Sequence, residues 1–244
     1  YTARAEQAGA IGAQSGLSPA RTFTVDAGLP PTLIAAGDIA GCDTSGDEAT
    51  AALLDRLPGT VATLGDHAYE YNTDSDFANC YDPYYGAFKG RTYPVPGNHE
   101  YNSGGDGYFN YFGSRVGTKA TPWYTVQIGS WRFYMLNSNC DDVGGCGPGS
   151  AQYAWLQGQL AGVADSGAAG SAGASASGAT SEACSAAVWH HPVWSSGSHG
   201  GYDGTLPLLQ LLIAHGTKLL LTGHEHSYER FTPLSAAGTG DVDG

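Results

Sequence analysis

Short apolar runs alternate with segments of helical periodicity from residue 32 onward. Five runs predict strands that end in polar residues: "TLIAAGD", "TVATLGD", "TYPVPGNHE", "SAAVWHHP" and "KLLLTGHEH". Four segments predict helices between them: "GDEATAALLDRL", "SDFANCYDPYYGAF", "SAQYAWLQGQLAGV" and "LPLLQLLIAHG". A hairpin is predicted from "WYTVQIG" and "WRFYMLNSN". Strands that alternate with helices are typical of an α/β domain, in which functional residues gather where strands end and loops begin.

Two segments depart from this alternation. Residues 1–31 are polar and rich in Ala and Gly, contain the strand-like "ARTFTVDA" and end in two prolines. We interpret them as an arm, or as the tail of a preceding β-module plus a linker, and assign residues 32–244 to one catalytic domain. Residues 165–183 are almost wholly Gly, Ala and Ser. They lack apolar side chains that could offset the entropy of ordering, which predicts a flexible surface insertion.

Composition and charge narrow the classes of function. The chain has 244 residues, of which 41% are hydrophobic, and a net charge of −13. So acidic a protein is not expected to bind nucleic acid or an anionic membrane surface. The sequence also contains no apolar run long enough to cross a bilayer. The absence of an initiator Met and of a signal-like start predicts a processed or trimmed chain.

The cysteines indicate an exported protein. Five Cys accompany only ten Lys plus Arg, and "NCDDVGGC" places Cys140 and Cys146 around a short Gly-rich loop, which predicts a disulfide. The alternative is a set of free thiols in a cytosolic enzyme. Because five is odd, at least one thiol is unpaired or bonds outside this chain.

The polar residues at the predicted strand ends are the candidate site. Carboxylates, an asparagine and imidazoles suit first-row divalent or trivalent metals, and the set exceeds what one ion needs, so two ions that share a carboxylate are expected. Each motif alone has a plainer interpretation, for instance Gly-Asp as a turn or a helix N-cap. Their occurrence in order, each after an apolar run, favours a site. The candidates are Asp38, Asp66, Tyr69, Asn98, His99, His190, His191, His199, His224 and His226.

The ordered set "GD…GDxxY…GNHE…HxP…GHxH" resembles the purple acid phosphatases among the calcineurin-like metallophosphoesterases. "NSNCDDVGGCG" and "WHHPVWSSG" are similar to segments of secreted bacterial members. The resemblance implies an α/β fold in which two β-sheets are flanked by helices (an αββα sandwich). Members usually continue into further strands where this chain reads "TGDVDG", so an edge of a sheet is expected to be missing.

The resemblance also implies a role for each residue. One ion, Fe(III) in purple members, would be held by Asp38, Asp66, Tyr69 and His226. The second, Fe(II), Zn(II) or Mn(II), would be held by Asp66 as a bridge, Asn98, His190 and His224. His190 is preferred to His191 because the family's ligand His is followed by one residue and then Pro, which leaves His191 facing the substrate or packed behind the ligands. His99 and His199 would be the catalytic residues, as hydrogen-bond donors or general acid.

The expected reaction is hydrolysis of a small-molecule phosphate monoester by metal-bound hydroxide, with an imidazole that protonates the leaving group. The two cations would make the electrostatic potential at the site positive, so that a phosphate can approach an acidic protein. The alternatives are a phosphodiesterase or nucleotidase that uses the same site, and a non-catalytic metal- or phosphate-binding protein. A secreted, extracellular enzyme is expected. The substrate, the metals and the oligomeric state do not follow from the sequence.

Overall fold

The computed structural model of the chain describes residues 2–3, 21–22, 31–168, 184–235 and 237–238. Strands β1 (Thr2–Ala3) and β2 (Arg21–Thr22) pair in antiparallel orientation. Residues 1, 4–20 and 23–30 of the predicted N-terminal arm lie outside the described residues. The domain boundary at residue 31 therefore stays a prediction.

The first half of the domain that begins at residue 32 forms a parallel sheet with helices on one side. Its elements are β3 (Leu33–Ala36), β4 (Ala40–Gly41), α1 (Gly46–Leu54), β5 (Thr60–Thr63), β6 (Ala68–Tyr69), α2 (Asp74–Asp76), α3 (Asp82–Tyr85), β7 (Thr92–Pro94), α4 (Asn98–Tyr101) and α5 (Asp106–Phe112). The strand order is β3-β5-β7, all parallel, and β4 pairs with β6 in a small parallel ladder. Three predicted strands thus lie side by side and end at one edge.

The second half forms a four-stranded sheet. Its elements are β8 (Tyr124–Ile128), β9 (Trp131–Met135), α6 (Ala151–Ala168), β10 (Ser185–Val188), α7 (Leu206–Ala214) and β11 (Leu219–Leu221). The predicted hairpin is confirmed: β8 pairs with β9 in antiparallel orientation across Gly129 and Ser130, and Gly129 has a positive φ of 61°. Strand β9 is parallel to β10, which is parallel to β11. The order is β11-β10-β9-β8.

The two sheets pack face to face between two layers of helices. Alternate side chains of a strand point to opposite faces, and Ala186 and Val188 of β10 face the other sheet while Ala187 points away from it. The core between the sheets joins Leu64 and Val95 to side chains of β8, β9 and β10. Helices α6 and α7 cover the outer face of the four-stranded sheet, and α1, α3 and α5 cover that of the other. The predicted αββα arrangement is confirmed.

The predicted insertion at residues 165–183 begins inside a helix, because α6 continues to Ala168. Residues 169–183 lie outside the described residues, so their predicted flexibility stays a prediction. Within the described part of the chain, none of the helices combines the length and the apolar character that a membrane span requires.

Two disulfides fasten loops of the domain. Cys140 bonds to Cys146, as the spacing predicts, and closes the Gly-rich loop that follows β9. Cys42 bonds to Cys80, and joins the loop after β4 to the helical turn Phe77–Tyr81. Cys184, directly before β10, is a free thiol, which agrees with the odd number of cysteines.

Candidate metal centre

The candidate residues lie in loops at the carboxyl ends of strands from both sheets. Asp38, Asp66 and Asn98 follow β3, β5 and β7, whereas His190 follows β10 and His224 follows β11. Carboxyl ends of parallel strands share one edge of a sheet, and loops at that edge are the usual place of a site in an α/β fold. The face-to-face packing of the sheets brings the two edges together.

Four of these residues have a left-handed backbone. The φ angles are 56° at Asp38, 52° at Asp66, 77° at His224 and 47° at His226, a region that side-chain-bearing residues rarely adopt. The loops also approach closely, since a side-chain carbon at Gly97 would overlap the Oδ1 atom of Asp66. The turns are therefore built to direct particular side chains to one place, at a cost in local backbone energy.

One group of donor atoms surrounds the hydroxyl of Tyr69. This oxygen lies 2.9 Å from Nε2 of His226, 3.2 Å from Oδ1 of Asp38 and 3.4 Å from Oδ2 of Asp66. Nε2 of His226 is also 3.5 Å from Oδ1 of Asp38. Atoms that each lie roughly 2 Å from a common ion are about 3 Å from one another, so this group has the spacing of a ligand set.

A second group surrounds Nε2 of His190. This nitrogen lies 3.1 Å from Oδ1 of Asn98, 3.2 Å from Nδ1 of His224 and 3.3 Å from Oδ2 of Asp66. Oδ2 of Asp66 therefore belongs to both groups, the position that a bridging carboxylate requires.

The buried ring of His190 is held in the tautomer that a ligand needs. Its Nδ1 lies 2.7 Å from the main-chain oxygen of Leu64, which can only accept a hydrogen bond. Nδ1 therefore carries a proton, which leaves Nε2, among three neighbouring donor atoms, as the nitrogen that could bind an ion. A backbone acceptor behind a histidine ligand is the common way to fix its orientation.

The neighbours of His191 favour a proton on the other ring nitrogen, Nε2. Oγ of Ser138 accepts a hydrogen bond from the backbone N–H of His191 at 3.0 Å and lies 2.8 Å from Nδ1 of the same ring. Ser138 is fully buried. The hydroxyl proton of Ser138 needs an acceptor, and in the described part of the chain Nδ1 of His191 is the acceptor within reach. Nδ1 therefore carries no proton, and the proton of the neutral ring is on Nε2. Although one nitrogen of His191 lies within 4.8 Å of nitrogens of His190 and His224, this tautomer suits a hydrogen-bond donor better than a ligand.

The electrostatics of the cluster favour a cation. Burial raises the pKa of Asp38. Burial would also raise the pKa of Asp66, but the charge and hydrogen bond of His190 outweigh it and lower that pKa. Burial opposes charge on His190 as well, yet Asp66 raises its pKa to about 9. Burial and the charge of His190 lower the pKa of His224 to about 4, so this ring is neutral, as a ligand must be.

The environment of Tyr69 also favours a positive charge nearby. Burial, followed by the negative charges of Asp38 and Asp66, raises the pKa of its phenol. Two carboxylates with little exposure and a partly buried phenol face one another, and an uncompensated buried charge is costly. The chemistry of these donors fits hard or borderline metal ions.

The two candidate catalytic histidines lie beside the donor groups. Nδ1 of His99 lies 2.8 Å from the main-chain oxygen of Glu70, and Nε2 lies 3.9 Å from Oδ2 of Asp66. The half-exposed ring of His199 lies 4.8 Å from the ring of His224 and 6.0 Å from that of His226. All nine residues to which a role was assigned are thus brought together at one edge of the sandwich.

Glu100 joins the loop of Asp66 to the loop of Asn98, a function that the sequence did not predict. Its carboxylate accepts hydrogen bonds from the backbone N–H groups of Asp66 at 3.0 Å, His67 at 2.8 Å and Gly97. It also lies 2.9 Å from Nδ1 of His67. Both side chains are completely buried. Glu100 is the last residue of "GNHE", and that motif was the available signal.

Replacing Glu100 with glutamine is expected to destabilise the fold and to weaken metal binding. The amide –NH₂ can replace only one of the two accepting oxygens, and each oxygen serves two donors, so two buried N–H groups lose their acceptor. Each such loss costs about 1–3 kcal/mol. Urea unfolding and metal titration would measure both effects. Asp106→Asn, which removes an exposed ion pair with Lys119, is the control and is expected to stay within about 0.5 kcal/mol of wild type.

Comparisons with known proteins identify the family of the chain and support its fold. The sequence profile of the family described as calcineurin-like phosphoesterase matches residues 31–228. A search of curated proteins found no match to this sequence. Among solved structures, the chain is similar to purple acid phosphatase PPD1 from seeds of yellow lupin (Lupinus luteus), with a TM-score of 0.57 and 16% identity.

A second similar structure is that of GAP50, described as the anchor in the inner membrane complex of Plasmodium, with a TM-score of 0.53 and 18% identity. Each alignment covers 79% of this chain, and they cover 37% of the lupin chain and 65% of the Plasmodium chain. The chain therefore spans less than two thirds of either protein. At these identities the likeness supports the fold alone.

Proposed function

Because the chain belongs to the calcineurin-like phosphoesterase family, we propose that it hydrolyses phosphate monoesters with the help of two metal ions. The observation that carries this proposal is the position of Asp66. Its Oδ2 lies 3.4 Å from the hydroxyl of Tyr69 and 3.3 Å from Nε2 of His190, and so belongs to two separate donor groups. One carboxylate oxygen shared by two such groups is typical of a dinuclear centre.

The donor atoms divide into two proposed ligand sets. The first ion would be held by Asp38, Asp66, Tyr69 and His226, and the second by Asp66, Asn98, His190 and His224. A phenolate in the first set, together with two carboxylates, favours a trivalent ion there, Fe(III), because these are hard, anionic oxygen donors. The second set, with two neutral imidazoles and an amide, suits Fe(II), Zn(II) or Mn(II).

The two ions would supply Lewis acidity, which acidifies water and neutralises charge on the phosphate oxygens. The chain's own residues would orient the ester and move protons. His191 presents its Nε2–H as a neutral donor to a phosphate oxygen. His99 keeps its Nδ1–H on the Glu70 carbonyl, which leaves Nε2 to hold or move a proton. His199 would give a proton to the departing alcohol oxygen as the P–O bond breaks.

Metal analysis and paired assays would test the proposal. The purified protein is expected to bind two ions per chain, and to hydrolyse a phosphomonoester faster than a phosphodiester of the same leaving group. Chelation should abolish the activity, and added metal should restore it. One ion per chain would contradict the dinuclear assignment. A faster reaction with the diester would reverse the proposed substrate class.

If the first ion is Fe(III), the protein is expected to be coloured. A phenolate bound to ferric iron gives a visible charge-transfer band, and Tyr69 is the tyrosine in contact with Asp38 and Asp66. The Tyr69→Phe variant should lose the band. The matched control is Tyr71→Phe, which alters an exposed tyrosine two residues away and should keep it. A ferric Tyr69→Phe protein of unchanged colour would exclude Tyr69 as a ligand.

We also propose that the protein acts outside the cytosol. Disulfides persist in oxidising compartments and are rare in cytosolic proteins, and the two disulfides described here fit an exported enzyme.

A further inference from the structure

A buried carboxylate without a hydrogen bond lies beside the candidate centre. The side chain of Glu225 is only 6% exposed. Neither of its oxygens has a hydrogen-bond partner in the described part of the chain. A buried carboxylate is costly unless a charge or hydrogen bond compensates it, so its position requires an explanation.

The surrounding loop is shaped to accept this carboxylate. Gly197 makes the approach possible, because a side-chain carbon there would overlap Oε2 of Glu225. The same loop is fastened by Glu229, which accepts hydrogen bonds from the backbone N–H of Ser196 at 3.0 Å and from its hydroxyl at 2.6 Å. The segment that carries Glu225 is thus attached to the loop that carries His199.

Among the described residues, the basic side chain within 4 Å of the Glu225 carboxylate is His199. Its Nδ1 lies 3.6 Å from Oε2 of Glu225, slightly beyond hydrogen-bond distance. The ring is half exposed, so a small rotation would close this gap. Hydrogen bonds between catalytic groups are often longer in unliganded structures and tighten when substrate binds.

We propose that Glu225 is a positioning residue for His199, whose Nδ1–H it accepts so that Nε2 faces the leaving group of the substrate. The kinetic effects expected from this inference rest on the proposed function, whereas the expected tautomer of His199 does not. In the reaction, an oxygen from water bonds to phosphorus as the P–O bond to the alcohol breaks, the electron pair of that bond stays on the alcohol oxygen, and the proton of Nε2 moves to that oxygen. The ring is left neutral with its Nδ1–H on Glu225. A carboxylate at this place selects the tautomer and stabilises the ring while it is positively charged.

The tautomer can be measured without any assay of activity. In protein labelled with ¹⁵N-histidine and loaded with diamagnetic Zn(II), His199 should carry its proton on Nδ1 at a pH where the ring is neutral. The Glu225→Gln variant keeps an accepting oxygen and should retain this tautomer. Glu225→Met has none and should shift the proton to Nε2. An Nε2–H tautomer in wild type, or no change in Glu225→Met, would overturn the proposal.

A matched control uses the exposed carboxylate of Glu70, which lies 3.5 Å from Nδ1 of His99. Glu70→Gln should leave the tautomer of His99 unchanged, because the main-chain oxygen of residue 70 holds that Nδ1 at 2.8 Å. A shift at His99 in this variant would show that exposed carboxylates also select tautomers here. The burial of Glu225 would then not explain the tautomer of His199, and the proposal would fail.

Kinetics would show whether Glu225 acts through His199. Glu225→Met should keep both ions and lose roughly 10- to 100-fold in turnover of an alkyl phosphate, with a smaller loss for Glu225→Gln. In a His199→Ala background, Glu225→Met should cause no further loss. A full additional loss there would overturn the positioning function. If wild type shows no phosphatase activity but has the Nδ1–H tautomer, the pairing stands and the proposed function fails. If the enzyme is active but has the Nε2–H tautomer, the proposed function stands and the pairing fails.

Discussion

Replacing Asp66 with alanine is expected to abolish phosphatase activity and to lower the metal content by more than one ion per chain. Oδ2 of Asp66 is shared by the two donor groups, and Oδ1 accepts the backbone N–H of His99 at 3.0 Å. The substitution therefore weakens both ion sites and releases the loop that carries Asn98. Metal content by elemental analysis and turnover of a phosphomonoester would measure the two effects.

The control for this variant is Asp55→Ala, which removes an exposed carboxylate just after α1. It should keep both ions and full turnover. Two fully retained ions in Asp66→Ala would contradict the bridging assignment, and with it the dinuclear centre. Retention of one ion with no activity would mean that Asp66 belongs to a single site.

Replacing His199 with alanine is expected to leave both ions in place and to slow the hydrolysis of alkyl phosphates by roughly 10²–10⁴-fold, the usual contribution of a general acid. No donor group described above includes His199, whose half-exposed ring has its Nδ1 3.6 Å from Oε2 of Glu225. The loss should be much smaller for aryl phosphates, because an aryl alcohol leaves well without a proton. Turnover of the two ester classes would be compared in parallel.

His215→Ala is the matched control for His199→Ala. This histidine follows α7, and its Nδ1 lies 2.9 Å from the main-chain oxygen of Leu211, away from the candidate centre. It should not alter the ratio of alkyl to aryl turnover. Equal losses on both esters in His199→Ala would indicate that His199 orients the phosphate, and an unchanged rate on both would remove it from the mechanism.

The fold was largely predictable because each strand is short, apolar and followed by a polar turn. The runs before Asp38 and Asp66 predicted β3 and β5, and the run before His190 predicted β10. Residues far apart in sequence could be assigned to one site since parallel strands end at a common edge. The resemblance to a family then supplied the division into ligand sets, which the pattern of polar residues alone does not contain.

Other features depend on contacts that a sequence pattern does not express. The periodicity of "SDFANCYDPYYGAF" predicts one helix, but the segment divides into α2, a π-helical turn, α3 and a 3₁₀ turn, with Pro83 at the start of α3. The Cys42–Cys80 disulfide joins residues 38 positions apart, so spacing provided no signal for it. The functions of Glu100 and Glu225 follow from burial and from the partners they face, which only the folded chain reveals.

The left-handed backbone at Asp38, Asp66, His224 and His226 implies that these side chains lower the thermal stability of the protein, although the proposed chemistry requires them. Left-handed backbone costs a residue with a side chain on the order of 1–2 kcal/mol, and glycine avoids that cost. At Asp38 glycine would also remove the acceptor of the backbone N–H of His224. The gain is clearer at His226, whose side chain is half exposed, so His226→Gly protein without metal should melt at a higher temperature than wild type. A lineage released from selection for hydrolysis would accumulate glycine and asparagine at these four positions first. On the proposed function, the metal chemistry is the reason for aspartate and histidine at these positions.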